Sequence, residues 1–175
     1  VEALLAAGHA GLALYVPDAA AAEALAAWDD DTWRVLDRAG AILSFNVVLP
    51  QVATLAPLAA AAPGCRLMVS HMGLPPARKA PPERAVAATE LAPLLALAEF
   101  RNVFANLSGF YAVSDPSHDW PHRAAAPFVD VLIADFGADR CLWASDFSPA
   151  LDHVSFVQTI TVPGLEGHDE ATQAA

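Results

Sequence analysis

Arg66-Leu67-Met68-Val69-Ser70-His71-Met72-Gly73 is a short apolar run that ends at once in a histidine and a glycine. A run of this length, bounded by polar residues, reads as a buried strand. Cys141-Leu142-Trp143-Ala144-Ser145-Asp146-Phe147 has the same construction, with a carboxylate in place of the imidazole. Each strand is followed by a group able to ligate a metal or move a proton, and then by a loop rich in Gly or Pro. In parallel α/β proteins the loops at the carboxyl ends of the strands form the active face. His71 and Asp146, on different strands, are therefore candidates for one shared site.

Outward from these two runs, at residues 66–70 and 141–144, further strand-like runs occur at residues 12–16, 42–47 and 103–107. The segments between them have helical character. Asp30 and Asp31 suit the cap of a helix through Trp33 and Leu36, which Gly40 would end. Further helices are expected at 51–61, with Pro57 its weak point, at 90–100, with Pro93 tolerable only in the first turn, and at 127–136. Trp28, Trp33 and Trp143 are read as packing residues. Regular alternation of strand and helix predicts βαβ units, right-handed crossovers and a parallel sheet. Two long connections interrupt the rhythm. One runs over 72–83 through Pro75, Pro76, Pro81 and Pro82; the other runs over 109–126 through Ser117-His118-Asp119-Trp120-Pro121-His122. Long loops in compact domains are more often functional than accidental.

Composition narrows the classes of partner. The 175 residues are 55% hydrophobic and 17% charged, which suits a single domain with a sizeable core. Nine Lys and Arg against 20 Asp and Glu give a formal charge of −11. Such a surface repels phosphate backbones and anionic lipid, so a small molecule is the expected partner, with neither nucleic acid nor membrane. No apolar stretch is long enough to span a bilayer, and no basic segment leads into an apolar core as in a signal peptide. Cys65 and Cys141 stand far apart, which argues against a disulfide framework and for the cytoplasm.

Three ordered blocks resemble the amidohydrolase superfamily. They are His71-Met72-Gly73 after an apolar strand, Arg101-Asn102-Val103-Phe104-Ala105-Asn106-Leu107-Ser108-Gly109, and Phe136-Gly137-Ala138-Asp139-Arg140-Cys141-Leu142-Trp143-Ala144-Ser145-Asp146-Phe147-Ser148-Pro149. They look like the His-x-Gly strand end, the Leu-Ser-Gly turn and the final-strand motif of its amidohydrolase-related group. That group contains pyrone-dicarboxylate lactonases, sugar-acid lactonases and aminocarboxymuconate-semialdehyde-type decarboxylases. The resemblance implies an α/β fold, a (β/α)8 TIM barrel, of which this chain would be the last five βα units. A whole barrel takes at least about 200 residues. Residues 1–175 are thus expected to form one incomplete barrel domain, truncated at both ends, in which a second copy of the chain is a further candidate partner.

By the same resemblance Asp146 would take a proton from the attacking water and return it to the leaving group. His71 would ligate a metal or polarise the substrate carbonyl. Asn106, Ser108 and Tyr111 would orient substrate, and His118 and Trp120, with His122, would stand on the rim of the site. His118 and His122 have the spacing of helical metal ligands, but Pro121 denies them the helix. Relatives that use a metal carry a His-x-His pair on the first strand, and this chain has no His-x-His. One divalent ion such as zinc, bound by His71 and Asp146, therefore stands beside metal-free chemistry.

The departures concern charge. Ser70 stands where related lactonases often have Asp, Ala13 where Arg is common, Asn106 where Lys is usual, and Phe110 or Tyr111 where an Arg follows the turn. The site looks less cationic than one built for a dianion. The expected activity is hydrolysis of a lactone or similar cyclic ester by water addition. The alternatives are a metal-dependent decarboxylase of the same group and a partial barrel inactive by itself.

Overall fold

The computed structural model describes residues 1–174. Five strands form one wholly parallel sheet in the order β1-β2-β3-β4-β5: β1 Gly11–Val16, β2 Ile42–Val47, β3 Arg66–Val69, β4 Val103–Leu107 and β5 Cys141–Trp143. Each new strand is laid beside its predecessor, with no reversal of direction across the sheet. That order belongs to a β/α barrel, whereas a doubly wound sheet reverses at a switch point. The five units build part of a (β/α)8 barrel.

The connections agree with the sequence in kind and differ in boundary. α1 spans Glu2–Ala6, α2 spans Ala19–Ala26 and α3 spans Asp30–Arg38. The α3 cap is Asp29, which accepts from the Thr32 N–H at 2.8 Å; Asp30 and Asp31 instead occupy the first turn, where the helix dipole favours them. The single helix expected over 51–61 is two, α4 Leu49–Val52 and α5 Leu55–Ala61. Pro57 falls in the first turn of α5, where the N–H it lacks would have no partner. α6, Arg84–Leu95, begins six residues before the expected Glu90, because the Ala-rich 84–88 segment has strong helix propensity. Pro93 is consequently in its last turn instead of its first. α7 spans Ala126–Phe136, α8 Phe156–Thr159 and α9 Glu170–Ala174.

Alternation along the strands separates two faces. On β2, Leu43, Phe45 and Val47 are fully buried, while Ser44 and Asn46 between them are partly open. Leu67, Val69, Val103 and Ala105 continue the apolar face and join Leu36, Leu55, Leu91 and Phe128 from the helices in one core. Burying a side chain of the Leu or Phe class is worth about 1.5–3 kcal/mol. The opposite, polar face, which a whole barrel encloses, opens into a cleft. Trp28 and Trp33 stack at 5.3 Å, whereas Trp143, expected to be packed, is half-exposed at the edge strand. Both cysteines are free, and no helix is long and apolar enough to cross a membrane among the described residues.

Candidate active site

Main-chain strain marks both strand ends. Beyond β3 the chain turns sharply through Ser70–Gly73, with His71 at φ 54° and Met72 at φ 56°. Beyond β5, Asp146 stands at φ 51°. Left-handed backbone costs an ordinary residue roughly 1–2 kcal/mol, and such residues persist where their surroundings over-determine them. The turn after β3 is held by Met72, fully buried in the core, and by Ser70, whose hydroxyl lies 3.3 Å from that of Ser44 on β2.

These turns bring the two groups together. His71 Nδ1 lies 3.8 Å from Asp146 Oδ2 and 2.9 Å from the Ser108 hydroxyl at the end of β4. Tyr111, in the turn after Gly109, donates its hydroxyl proton to the same Asp146 Oδ2 at 2.7 Å. The Tyr111 ring is stacked on His153, with centroids 4.7 Å apart. Burial lowers the His71 pKa, and the Asp146 charge opposes this only in part, so the imidazole tends to be neutral. Burial, followed by the hydrogen bond to Asp146, raises the Tyr111 pKa well above its ordinary value. Tyr111 therefore stays protonated and remains a donor.

The inner face of the sheet forms an open cleft of about 230 Å³ around this pair. His71, Asp146, Asn106 and Ser108 all line it, as do Ser70 and, from β2, Ser44 and Asn46, the last two of which sequence reasoning passed over. The alternation Leu43-Ser44-Phe45-Asn46-Val47 was the signal for them, since a polar residue at every second place marks an inner face. Asn106 is 6% exposed and its Oδ1 has no hydrogen-bond partner among the described residues, leaving an acceptor for a donor on a bound molecule. No Lys or Arg lines the cleft among the described residues.

Tyr111 stands behind Asp146 and does not line the cleft. His118 and Trp120 are exposed and do not line it either; the Trp120 indole donates to the Gln158 carbonyl at 3.3 Å. His122, expected on the rim, is 4% exposed, with Nδ1 3.2 Å from the Ser114 hydroxyl. The contact with Ser114 turns it inward, and burial lowers its pKa. Among the described residues no group of three or more His, Cys, Asp or Glu converges. His71 and Asp146 are one imidazole and one carboxylate, two of the three protein ligands that a catalytic zinc takes. The donor types suit such an ion, and they make up part of its set.

A parallel sheet whose carboxyl ends gather a histidine, a carboxylate and neutral hydrogen-bonding groups has the architecture of a β/α barrel, with these residues on the face where such barrels carry their sites. The chain belongs to the amidohydrolase family, whose profile matches residues 2–174. No curated protein matches it. Among solved structures it is similar to an amidohydrolase from Burkholderia multivorans with bound HEPES, at 18% identity and TM-score 0.77, covering 95% of this chain and 61% of that one. A zinc-bound structure from Burkholderia multivorans matches at 20% identity and TM-score 0.73, covering 90% of this chain and 57% of that one. A Pseudomonas putida protein assigned as a 2-pyrone-4,6-dicarboxylic acid hydrolase matches at 24% identity and TM-score 0.66, covering 99% and 63%. The chain thus spans about three fifths of the length of these structures, and at such identities they establish the fold alone.

Proposed function

We propose that this chain carries part of a hydrolase site that opens a lactone or similar cyclic ester by adding water to its carbonyl. The observation that carries the reading is the meeting of three groups at Asp146 Oδ2: the carboxylate, the Tyr111 hydroxyl at 2.7 Å and the His71 imidazole at 3.8 Å. A carboxylate held in this way acts as a general base. Asp146 takes a proton as water oxygen bonds to the carbonyl carbon. When the ring carbon–oxygen bond breaks, it returns that proton to the departing alkoxide, and the product is a hydroxy acid. Tyr111 keeps Oδ2 in place, and His71 steadies the negative charge that develops on the carbonyl oxygen. A divalent ion held by His71 and Asp146 would supply Lewis-acid polarisation of the same carbonyl.

The partner on this reading is a small molecule, one with few negative charges, because the cleft offers neutral hydrogen-bonding groups and no cation from the chain. The high negative charge of the chain supports the same view against nucleic acid. The test is acid release from a panel of five- and six-membered lactones, followed by pH-stat with the chain and with Asp146→Asn. Release that Asp146→Asn abolishes is expected. Release that survives the substitution overturns the role of Asp146. No turnover on any lactone leaves the partial barrel inactive by itself.

A further inference from the structure

We infer that the Ser108-Gly109 turn at the end of β4 is the device that positions His71, Gly109 by leaving room for the imidazole and Ser108 by engaging its Nδ1. Gly109 has φ 63°, and a Cβ built on it would lie 2.7 Å from His71 Nδ1, 2.9 Å from Cγ and 3.0 Å from Cβ. Real Cβ atoms do not approach other heavy atoms so closely, so any side chain at 109 must move something. His71 cannot easily withdraw. Cγ and Cβ, the root of the side chain, are met almost as closely as Nδ1, the backbone there is already left-handed, and the adjoining Met72 is locked in the core.

Ser108 supplies the second constraint. It is 1% exposed, and its hydroxyl lies 2.9 Å from Nδ1. A hydroxyl so enclosed serves the imidazole before it serves a substrate. With Nδ1 engaged, Nε2 is the ring nitrogen left for the reacting group. A serine hydroxyl both donates and accepts, so it holds Nδ1 in either tautomer of the neutral imidazole and fixes the orientation of the ring without choosing between them. The two residues are positioning residues, and their catalytic consequence rests on the hydrolase reading given above.

Their effect on the imidazole does not depend on that reading, so the test observes the ring directly. Nitrogen-15 and carbon-13 spectra of the labelled chain report the environment and the order of the His71 ring. One ordered ring environment is expected in the wild type and in Ser108→Thr, which keeps the hydroxyl, and shifted, broadened His71 ring signals in Ser108→Ala. Gly109→Ala is expected to shift the His71 ring signals. Gly40→Ala provides the control, because Gly40 has φ 60° and the nearest atom to its built Cβ is the Gly64 carbonyl oxygen at 3.8 Å. That variant carries the same backbone strain and should leave His71 unmoved. Unchanged His71 ring signals in Ser108→Ala, or His71 shifts in Gly109→Ala no larger than in Gly40→Ala, would overturn the proposal. Lactone hydrolysis by the same variants tests the catalytic reading separately.

Discussion

The ends of β3 and β5 carry the same kind of feature in opposite settings. β3 pairs with β2 on one side and β4 on the other, and its turn is clasped by Ser44, Ser108 and Gly109. β5 pairs with β4 alone, is three residues long, and leads into a loop in which Phe147 is 64% exposed. Both ends hold a left-handed residue, yet His71 is fixed from several directions and Asp146 chiefly through Tyr111. The difference teaches that strain at a site can be supported in two ways, by enclosure within a sheet or by one strong hydrogen bond at its edge.

The largest expected effect tests whether the looser end does the chemistry. Asp146→Asn keeps the shape and removes the base, and lactone turnover should fall about 10²–10⁴-fold; a kcat unchanged in the pH-stat assay would break the comparison at its functional end. Next comes stability. Leu67→Ala in β3, where the leucine is fully buried, should cost about 2–5 kcal/mol in urea unfolding, and Leu142→Ala in β5, which is only partly buried, less than about 1 kcal/mol. Equal losses would mean that the two strands are equally supported.

A smaller effect is expected for Tyr111→Phe, which removes the donor to Asp146 and should cost about 1–2 kcal/mol. Hydrogen exchange should quicken at the Asp146, Phe147 and Ser148 amides while those of Met72 and Gly73 stay protected. Protection unchanged at 146–148 would show that the loop has another anchor. The smallest effect is a slope with pH. Burial lowers the pKa of both His71 and His122 from the ordinary 6.5, so below that value the unfolded chain binds more protons than the folded one. Stability is therefore full above about pH 6.5 and declines as the pH falls through it toward the lowered folded-state values. His122→Asn should flatten part of that slope in urea midpoints measured from about pH 8 to pH 5.

Much of this architecture was legible in the residues. The five apolar runs became the five strands with shifts of a residue or so, because β-branched and apolar runs between Gly, Pro and polar turns have few other ways to bury themselves. The motif order pointed to the amidohydrolase family, and His71 and Asp146 were the two groups singled out at strand ends. Helix boundaries were less legible: α6 begins where Ala-rich propensity outweighs the proline signal, and α4 and α5 part at Ala53-Thr54 without a Gly or a Pro between them. His122 looked like a surface loop residue by its neighbours in sequence, yet it is buried by its neighbours in space.

The sequence by itself determined the alternation of strand and helix, the polar and apolar faces of β2 and the family to which the chain belongs, since these depend on local period and on short motifs. Only the tertiary structure decided that Ser108 belongs to His71, that Tyr111 belongs to Asp146, and that Gly109 is small because an imidazole rests against it. The bonded pairs are 37 and 35 residues apart. Contacts at that range follow from strand register and from left-handed turns imposed by packing, and neither is written in the local pattern of residues.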